Sequence, residues 1–424
     1  MNKVTVLVGL QWGDEGKGKI VDILSPYYDV VARYQGGANA GHTIVFNNKK
    51  YVLHLIPSGI FTEKIKCVIG NGTVIDLEAL NEEIDIVKEE NIDISSRLLI
   101  SGNAHVILKY HKIVDAINES KSNKIGTTKK GIGPCYFDKY ARRGIKIQDI
   151  AFGVGLLEKI SDNLENLRRI FPESYELKEL SPEMIYEELL NQFSKVKNLV
   201  SDTHIFLNNM IKGNKNILLE GAQGALLDVD FGTYPFITSS HPTAGGASIG
   251  TGIPVNKINS VVGIFKAYLT RVGEGPFPTE LFDINGKIMS ERGNEFGATT
   301  GRHRRCGWLD LVALKYTVLV NGVTDLVITK SDVLDVFDEI NVCTGYDYKG
   351  NIISEFPTNP KLLSDIKPVY KVLKGWKLSL NEIKESSDLP DNFKSYLSFI
   401  EDYLEVKIKY ISTGPSREEI IINP

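Results

Sequence analysis

Residues 4–24, VTVLVGLQWGDEGKGKIVDIL, pass from a β-branched apolar run through a glycine-rich turn into a short helical segment. Strand, glycine turn and helix in that order leave few folds open. Gly13 and the pair Gly18-Lys19 have the G-x-x-x-x-G-K spacing of a phosphate-binding loop. In such loops backbone N–H groups and a helix N-terminus hold phosphate oxygens. Lys17 and Lys19 add positive charge. Two features depart from the pattern. The hydroxyl residue that normally follows the lysine, a magnesium ligand, is Ile20, and Asp14 and Glu15 place carboxylates where phosphates would sit. Carboxylates there require a partner, either a metal ion or a proton to remove.

The rest of the chain repeats the alternation. Residues 43–56 read as a hairpin turning near Asn47-Asn48, 67–76 as a strand entering a glycine turn, 77–90 as a helix, 97–102 as a strand and 106–119 as a helix. Residues 217–224 and the run from 261 are further strands entering loops, and helix 308–321 with strand 323–329 is one more such step. Glycine, threonine and lysine make 121–134 a loop, and 231–254 is too rich in Gly, Ser, Thr and Pro for regular structure. Residues 152–214 are charged, nearly free of glycine and apolar at helical spacing, an all-helical excursion. The fold class expected is α/β: a large, mostly parallel twisted sheet with helices on both faces. No linker or repeat interrupts it, so residues 1–424 are expected to form one large domain, its last hundred residues an α+β extension.

Five further stretches carry polar groups on loops. RYQGGANAGHTI (33–44) sets Asn39, Ala40, Gly41, His42 and Thr43 between two apolar strands. EFGATTGRHRRCGWLD (295–310) places Arg302 and Arg304 on one side of an extended loop, with His303 between them and Thr299 and Thr300 beside them. Guanidinium forks match carboxylate or phosphate. VITKSDVLD (327–335) delivers T-K-x-D from a strand. One carboxylate, Asp332, can accept both adjacent donors of guanine, with Lys330 lying along the base. IGTTKKGIGPCYFDKYARRG (125–144) and LLEGAQGALLD (218–228) add Thr128, Arg142, Arg143 and Gln223.

Bulk properties narrow the partners. Lysine plus arginine number 49 and aspartate plus glutamate 53, a net charge of −4, which makes no overall case for nucleic acid or an anionic membrane. Any anionic ligand needs a local basic cluster. The four cysteines form no C-x-x-C pair, no apolar run is long enough to span a membrane, and the N-terminus lacks a basic n-region with a cleavage site. A cytoplasmic location is expected.

Together these stretches resemble the adenylosuccinate synthetase family. WGDEGKGK, QGGANAGHT, GTTKKGIGP with ARRG, EGAQG, TSSHPTAGG, VGEGPFPTE, ATTGRHRRCGW, TKSDVLD and STGP occur in that family's order, from Val4 to Pro415. The resemblance implies a phosphate-loop NTPase-like sheet and a homodimer that joins IMP and L-aspartate with GTP, through 6-phosphoryl-IMP, on the route to AMP. It makes Asp14 the base that removes the N1 proton of IMP and a Mg2+ ligand, accommodating Ile20. The Gly41 carbonyl becomes the second protein ligand of the metal and His42 the matching acid. Lys17 joins the catalytic group.

The family's GTP phosphate site corresponds to Gly13, Asp14, Glu15, Gly16, Lys17, Gly18 and Lys19, with Gly41, His42 and Thr43. Its guanine pocket corresponds to Lys330, Ser331, Asp332, Ser412, Thr413 and Gly414. IMP is bordered by Asp14 to Lys17 and by Asn39, Ala40, Gly41 and His42, with contacts matched at Thr128, Gln223, Thr238 and Arg302. Arg142 matches an arginine that reaches IMP in the neighbouring subunit. Ala298, Thr299, Thr300, Gly301, Arg302, His303 and Arg304 form the aspartate loop, Arg304 also lying near GTP. His303 departs from the arginine or proline of many members.

Two other readings share some of these features. A GTPase switch explains the phosphate loop and T-K-S-D but neither the carboxylate inside the loop nor the second set of anion-binding loops. A GTP-dependent phosphotransferase acting on another small acceptor is the other.

Overall fold

Which strands become neighbours decides where the loops above meet. The computed structural model describes residues 3–39, 41–46, 49–121, 125–296 and 303–423. Strand Val4–Gly9 lies in the interior of a ten-stranded sheet, between Ile217–Glu220 and Ser260–Lys266 and parallel to both. Outward on one side follow Asp325–Thr329, Ile408–Ser412 and Ile420–Ile422; on the other follow Val30–Arg33, Lys66–Ile69, Leu98–Ser101 and Val200–Ser201. Every pairing is parallel except the last two strands of the chain.

All six residues of Val4–Gly9 are buried, which is why the run is continuously apolar rather than alternating. Strand alternation sends Leu7, Val31, Leu218 and Ile264 into one core, and Val6, Val8, Ala32, Leu219 and Phe265 into another on the opposite face. Because the strands are parallel, the loops after residues 9, 33, 220, 266, 329 and 412 leave the same edge of the sheet, where ligands of open α/β sheets bind.

Several expectations hold closely: the first helix is Lys17–Leu24, the next long one Leu77–Glu89, and the hairpin strands are His42–Phe46 and Lys49–Leu53. The hairpin turn at Asn47-Asn48 lies outside the described residues. Other expectations are corrected. Residues 105–106 pair with Val74–Ile75 as a short strand, so the helix starts at Lys109. Asp310 accepts the Ala313 N–H at 3.0 Å and starts the later helix at Leu311. Helix Ile132–Tyr140 begins within the stretch expected to be loop, Gly131 taking φ 76° at its N-cap. The helical excursion is interrupted by Val200–Ser201, whose two residues close the far edge of the main sheet against Leu98–Ser101. The C-terminal stretch forms a small sheet around Glu339–Tyr348, but its last two strands rejoin the main sheet.

Residues 231–254 are irregular only as far as Thr243; Ala244–Thr251 is a helix. Gly246 and Gly250 on it serve close approach, not irregularity. A Cβ on Gly250 would stand 1.9 Å from the Tyr34 carbonyl oxygen, and the Gly250 carbonyl accepts the Gly72 N–H at 3.0 Å. Both sides of the contact are backbone and cannot yield. Gly250→Ala is therefore expected to lower stability by about 3 kcal/mol, read as a fall in Tm and in the denaturant midpoint at unchanged m-value.

Candidate active site

The loop after Val4–Gly9 turns on two glycines with positive φ, Gly13 at 90° and Gly16 at 87°, and Gly16 caps the first helix. Its two carboxylates part company. Glu15 is turned inward: Oε1 accepts the N–H groups of Gln11 at 3.0 Å and Gly13 at 2.9 Å, and Oε2 meets Lys17 Nζ at 2.5 Å. Thr329 on a neighbouring strand donates its hydroxyl to the Glu15 carbonyl at 2.8 Å. Glu15 thus shapes the loop and holds Lys17. Asp14, at φ 60°, points outward with its side chain 38% exposed. Its Oδ2 accepts Arg304 Nε at 2.6 Å, and its other oxygen has no hydrogen-bond partner among the described residues.

The sequence grouped Lys19 with the phosphate residues. Its ammonium is directed instead to the loop after the Ile408–Ser412 strand, donating to Ser412 Oγ at 2.8 Å, the Gly414 carbonyl at 2.6 Å and the Glu419 carbonyl at 3.0 Å. All three of its protons are engaged. Burial lowers its pKa to about 8. Beside this loop, Ser331 Oγ and Thr413 Oγ1 are buried without a partner among the described residues. Lys330, at φ 61°, donates to the Gly293 carbonyl at 2.5 Å. No described side chain hydrogen-bonds to the Asp332 carboxylate, whose pKa burial raises. Asp332 also borders a cavity of about 300 Å³ with Arg292, Asp335 and Lys377.

His42 stands against the first turn of the first helix, where a Cβ on Gly18 would lie 3.0 Å from His42 Cβ. Its Nδ1 is held by Glu220, which also accepts the Ser58 hydroxyl at 2.6 Å and the Ser58 N–H at 2.9 Å. Nε2 is buried with no partner among the described residues. Burial lowers the His42 pKa despite Glu220. Burial works to raise Glu220, but His42, Ser58 and Arg33 outweigh it and keep the carboxylate ionised. Fully buried Arg33 donates to the carbonyls of Gln35 at 3.3 Å, Gly37 at 3.0 Å and His54, tying down the loop that carries Asn39 and Gly41.

Gln223, at φ 56°, donates to Asn39 Oδ1 at 2.9 Å, and its own Oε1 is buried without a partner among the described residues. Thr238 donates its N–H to the Leu227 carbonyl at 2.9 Å, on a loop braced by Asp228. Asp228, Asp230 and His241 approach one another, but the Asp228 oxygens accept the Asp230 N–H at 2.9 Å and the Thr243 hydroxyl at 2.8 Å, which makes them a brace. Thr128 is half-buried on its loop. Thr43 follows His42 in the hairpin strand, half-buried.

Arg142 is exposed at φ 62°, without an ion pair among the described residues, whereas Arg143 is paired with Asp138 at 2.7 Å. His303 has its Nε2 2.9 Å from Ser290 Oγ and its ring edge-on to Phe296. Ala40, Ala298, Thr299, Thr300, Gly301 and Arg302 lie outside the described residues. The structure adds Glu220, Ser58, Arg33 and Glu295. Glu220 and Glu295 begin or sit within motifs already singled out, but a single carboxylate in a charged sequence carries no sign of burial.

No described helix is long and apolar enough to cross a membrane. A family model described as adenylosuccinate synthetase matches residues 6–421. Adenylosuccinate synthetase of Chlorobaculum tepidum is 54% identical over 420 residues, covering 98% of this chain and 97% of that protein. The Salinibacter ruber protein of the same name is 50% identical over 428 residues, covering 99% and 98%. Among solved structures, a fully ligated adenylosuccinate synthetase from Plasmodium falciparum superposes with TM-score 0.93 at 41% identity, each chain covered completely. A cyanophage S-2L succinoaminodeoxyadenylate synthetase bound to dGMP and dATP shares the fold alone, at TM-score 0.65 and 19% identity, covering 100% of this chain and 96% of that one.

Proposed function

The chain belongs to the adenylosuccinate synthetase family, and on that premise we propose that the loops at the carboxyl edge of the sheet divide its chemistry as follows. The reaction joins IMP and L-aspartate, using GTP, in purine synthesis. The observation that carries the residue assignment is the outward carboxylate of Asp14 inside a phosphate cradle, joined to Arg304.

Asp14 removes the N1 proton of IMP, which makes O6 nucleophilic. O6 attacks the γ-phosphorus of GTP, and the bond from that phosphorus to the β-bridging oxygen breaks. His42 gives the departing oxygen a proton from Nε2, the nitrogen left without a partner while Glu220 holds Nδ1. Burial keeps unliganded His42 neutral, and the negative charge of a bound nucleotide opposes that, so protonation and occupancy go together. Lys17 lies beside the phosphates, held by Glu15. The aspartate amine then displaces phosphate from C6, with Arg302 and Arg304 holding its carboxylates.

GTP chemistry generally uses a divalent cation. We assign Mg2+ to the Asp14 carboxylate and the Gly41 carbonyl, hard oxygen donors of the kind this ion prefers. The free oxygen of Asp14 fits that role. When bound, the ion neutralises charge on the transferring phosphoryl group.

Asn39, Gln223, Thr128 and Thr238 border IMP in this reading, and Ser412 to Gly414 with Lys330 to Asp332 border guanine. The unpartnered oxygens of Gln223, Ser331 and Thr413 support both sets. A homodimer supplies Arg142 across its interface. That arginine's exposure supports this, as do Phe137 and Tyr140 on the preceding helix, 63% and 64% exposed. One catalytic unit spanning the whole chain, acting in the cytoplasm, completes the proposal.

The test is an absorbance assay with IMP, GTP and aspartate, each omitted in turn. Product formation should require all three. GTP hydrolysis indifferent to IMP would instead favour a switch. Asp332→Asn is expected to raise the KM for GTP about 10-fold or more while leaving IMP and aspartate within about 2-fold, the loss of a charge-assisted hydrogen bond to the base. Discrimination against nucleotides lacking the guanine amine should relax with it. An unchanged KM for GTP would move the guanine pocket elsewhere.

A further inference from the structure

We propose that Glu295 is a positioning residue that ties the arginine of the aspartate subsite to the lysine of the guanine subsite. This rests on the assignment of Arg304 and Lys330 made above. Glu295 is fully buried, and each carboxylate oxygen faces a different subsite. Oε2 accepts Arg304 Nη1 at 2.7 Å. Oε1 faces Lys266 Nζ at 3.2 Å, the Tyr268 hydroxyl, and Lys330 Nζ at 3.9 Å. The backbone adds a second tie, since Arg304 N–H donates to the Glu295 carbonyl at 2.9 Å.

The Arg304 guanidinium is thereby fixed in orientation. Nη1 is on Glu295, Nε is on Asp14, and Nη2 has no partner among the described residues. A planar fork with two edges anchored presents its remaining N–H groups in a set direction. Fully buried Lys266 supplies a counter-charge to Glu295, and Arg304 also meets Asp14. Burial works to raise the Glu295 pKa, but Lys266, Lys330 and Arg304 hold it at about 2, so the group is a carboxylate under all working conditions. A buried charge is a poor source of stability compared with apolar packing. Setting two subsite cations at a fixed spacing is a role that apolar packing does not fill.

The test uses Glu295→Gln in the full chain. The amide keeps the shape but has a single acceptor end, so it serves Arg304 or the Lys266–Lys330 side and not both. The KM values for aspartate and for GTP are both expected to rise about 10-fold, with that for IMP within about 2-fold. Lys266→Met is the control. It removes the counter-charge but leaves Glu295 on both Arg304 and Lys330, and should lower Tm while both KM values stay within about 2-fold. If Glu295→Gln is insoluble, Lys266→Met with Glu295→Gln, which removes the Lys266 cation together with the carboxylate charge, takes its place with the same expectations. Unchanged KM values in the glutamine variant, or equal KM shifts in the methionine control, would overturn the proposal. Failure of the wild-type enzyme to form adenylosuccinate would overturn the reaction assignment as well, which separates the two.

Discussion

Asp14→Asn should lower kcat by roughly 10³-fold or more with the fold intact. General base catalysis contributes about 10²–10⁴-fold, and loss of a metal ligand adds to it. An amide accepts no proton from N1, and a neutral side chain loses the ion pair to Arg304. The fold should be indifferent for two reasons. The side chain is partly exposed, and asparagine tolerates the positive φ of 60° at this position as well as aspartate does. The check is kcat alongside Tm. Turnover near the wild-type value, at any Tm, would remove Asp14 from the mechanism.

Arg142→Leu should be nearly inactive by itself yet rescue the Asp14→Asn enzyme when the two are mixed. If Arg142 serves the neighbouring subunit, a mixed dimer has one site with both defects and one with neither. Random exchange makes about half the dimers mixed, and one sound site in two restores roughly a quarter of wild-type activity per subunit. Arg142 is the right residue for the test because it is exposed and unpaired among the described residues, while Arg143 is fastened to Asp138 within its own chain. Activity that stays at the sum of the two parents, with exchange demonstrated by a label, would mean that Arg142 acts in its own subunit or not at all.

What the sequence discloses depends on how local the signal is. The strand Val4–Gly9, the glycine turn and the helix Lys17–Leu24 are legible because burial on both faces and a positive φ at Gly13 and Gly16 leave a mark in adjacent letters. The glycines of 244–251 mislead for the same reason, since glycine marks both a turn and a close backbone contact, and only the position of Tyr34 distinguishes them. Val200–Ser201 is too short to show a period. Asp14, His42 and Lys330 are proposed as site residues on motif order. What Lys19 bonds to lies 393 to 400 residues away, and which oxygen of Glu295 faces which cation is set by residues on separate segments 9 and 29 positions off, so neither leaves a local trace.

The parallel sheet also imposes an order in time. Strand Val4–Gly9 is synthesised before both of its neighbours, and Thr5 meets Ser260 side chain to side chain across 255 residues of sequence. Translation at about 5–20 residues per second separates the two by roughly 10–50 s. For most of that interval, until Ile217–Glu220 emerges, a β-branched strand has no lasting partner, a state prone to wrong pairing. The phosphate loop needs the Asp325–Thr329 strand for its Glu15 anchor, and Lys19 needs residues 412–419. Nucleotide binding therefore arises only when almost the whole chain has left the ribosome, and a nascent chain stalled before residue 412 should depend on chaperones rather than on its own ligands for protection.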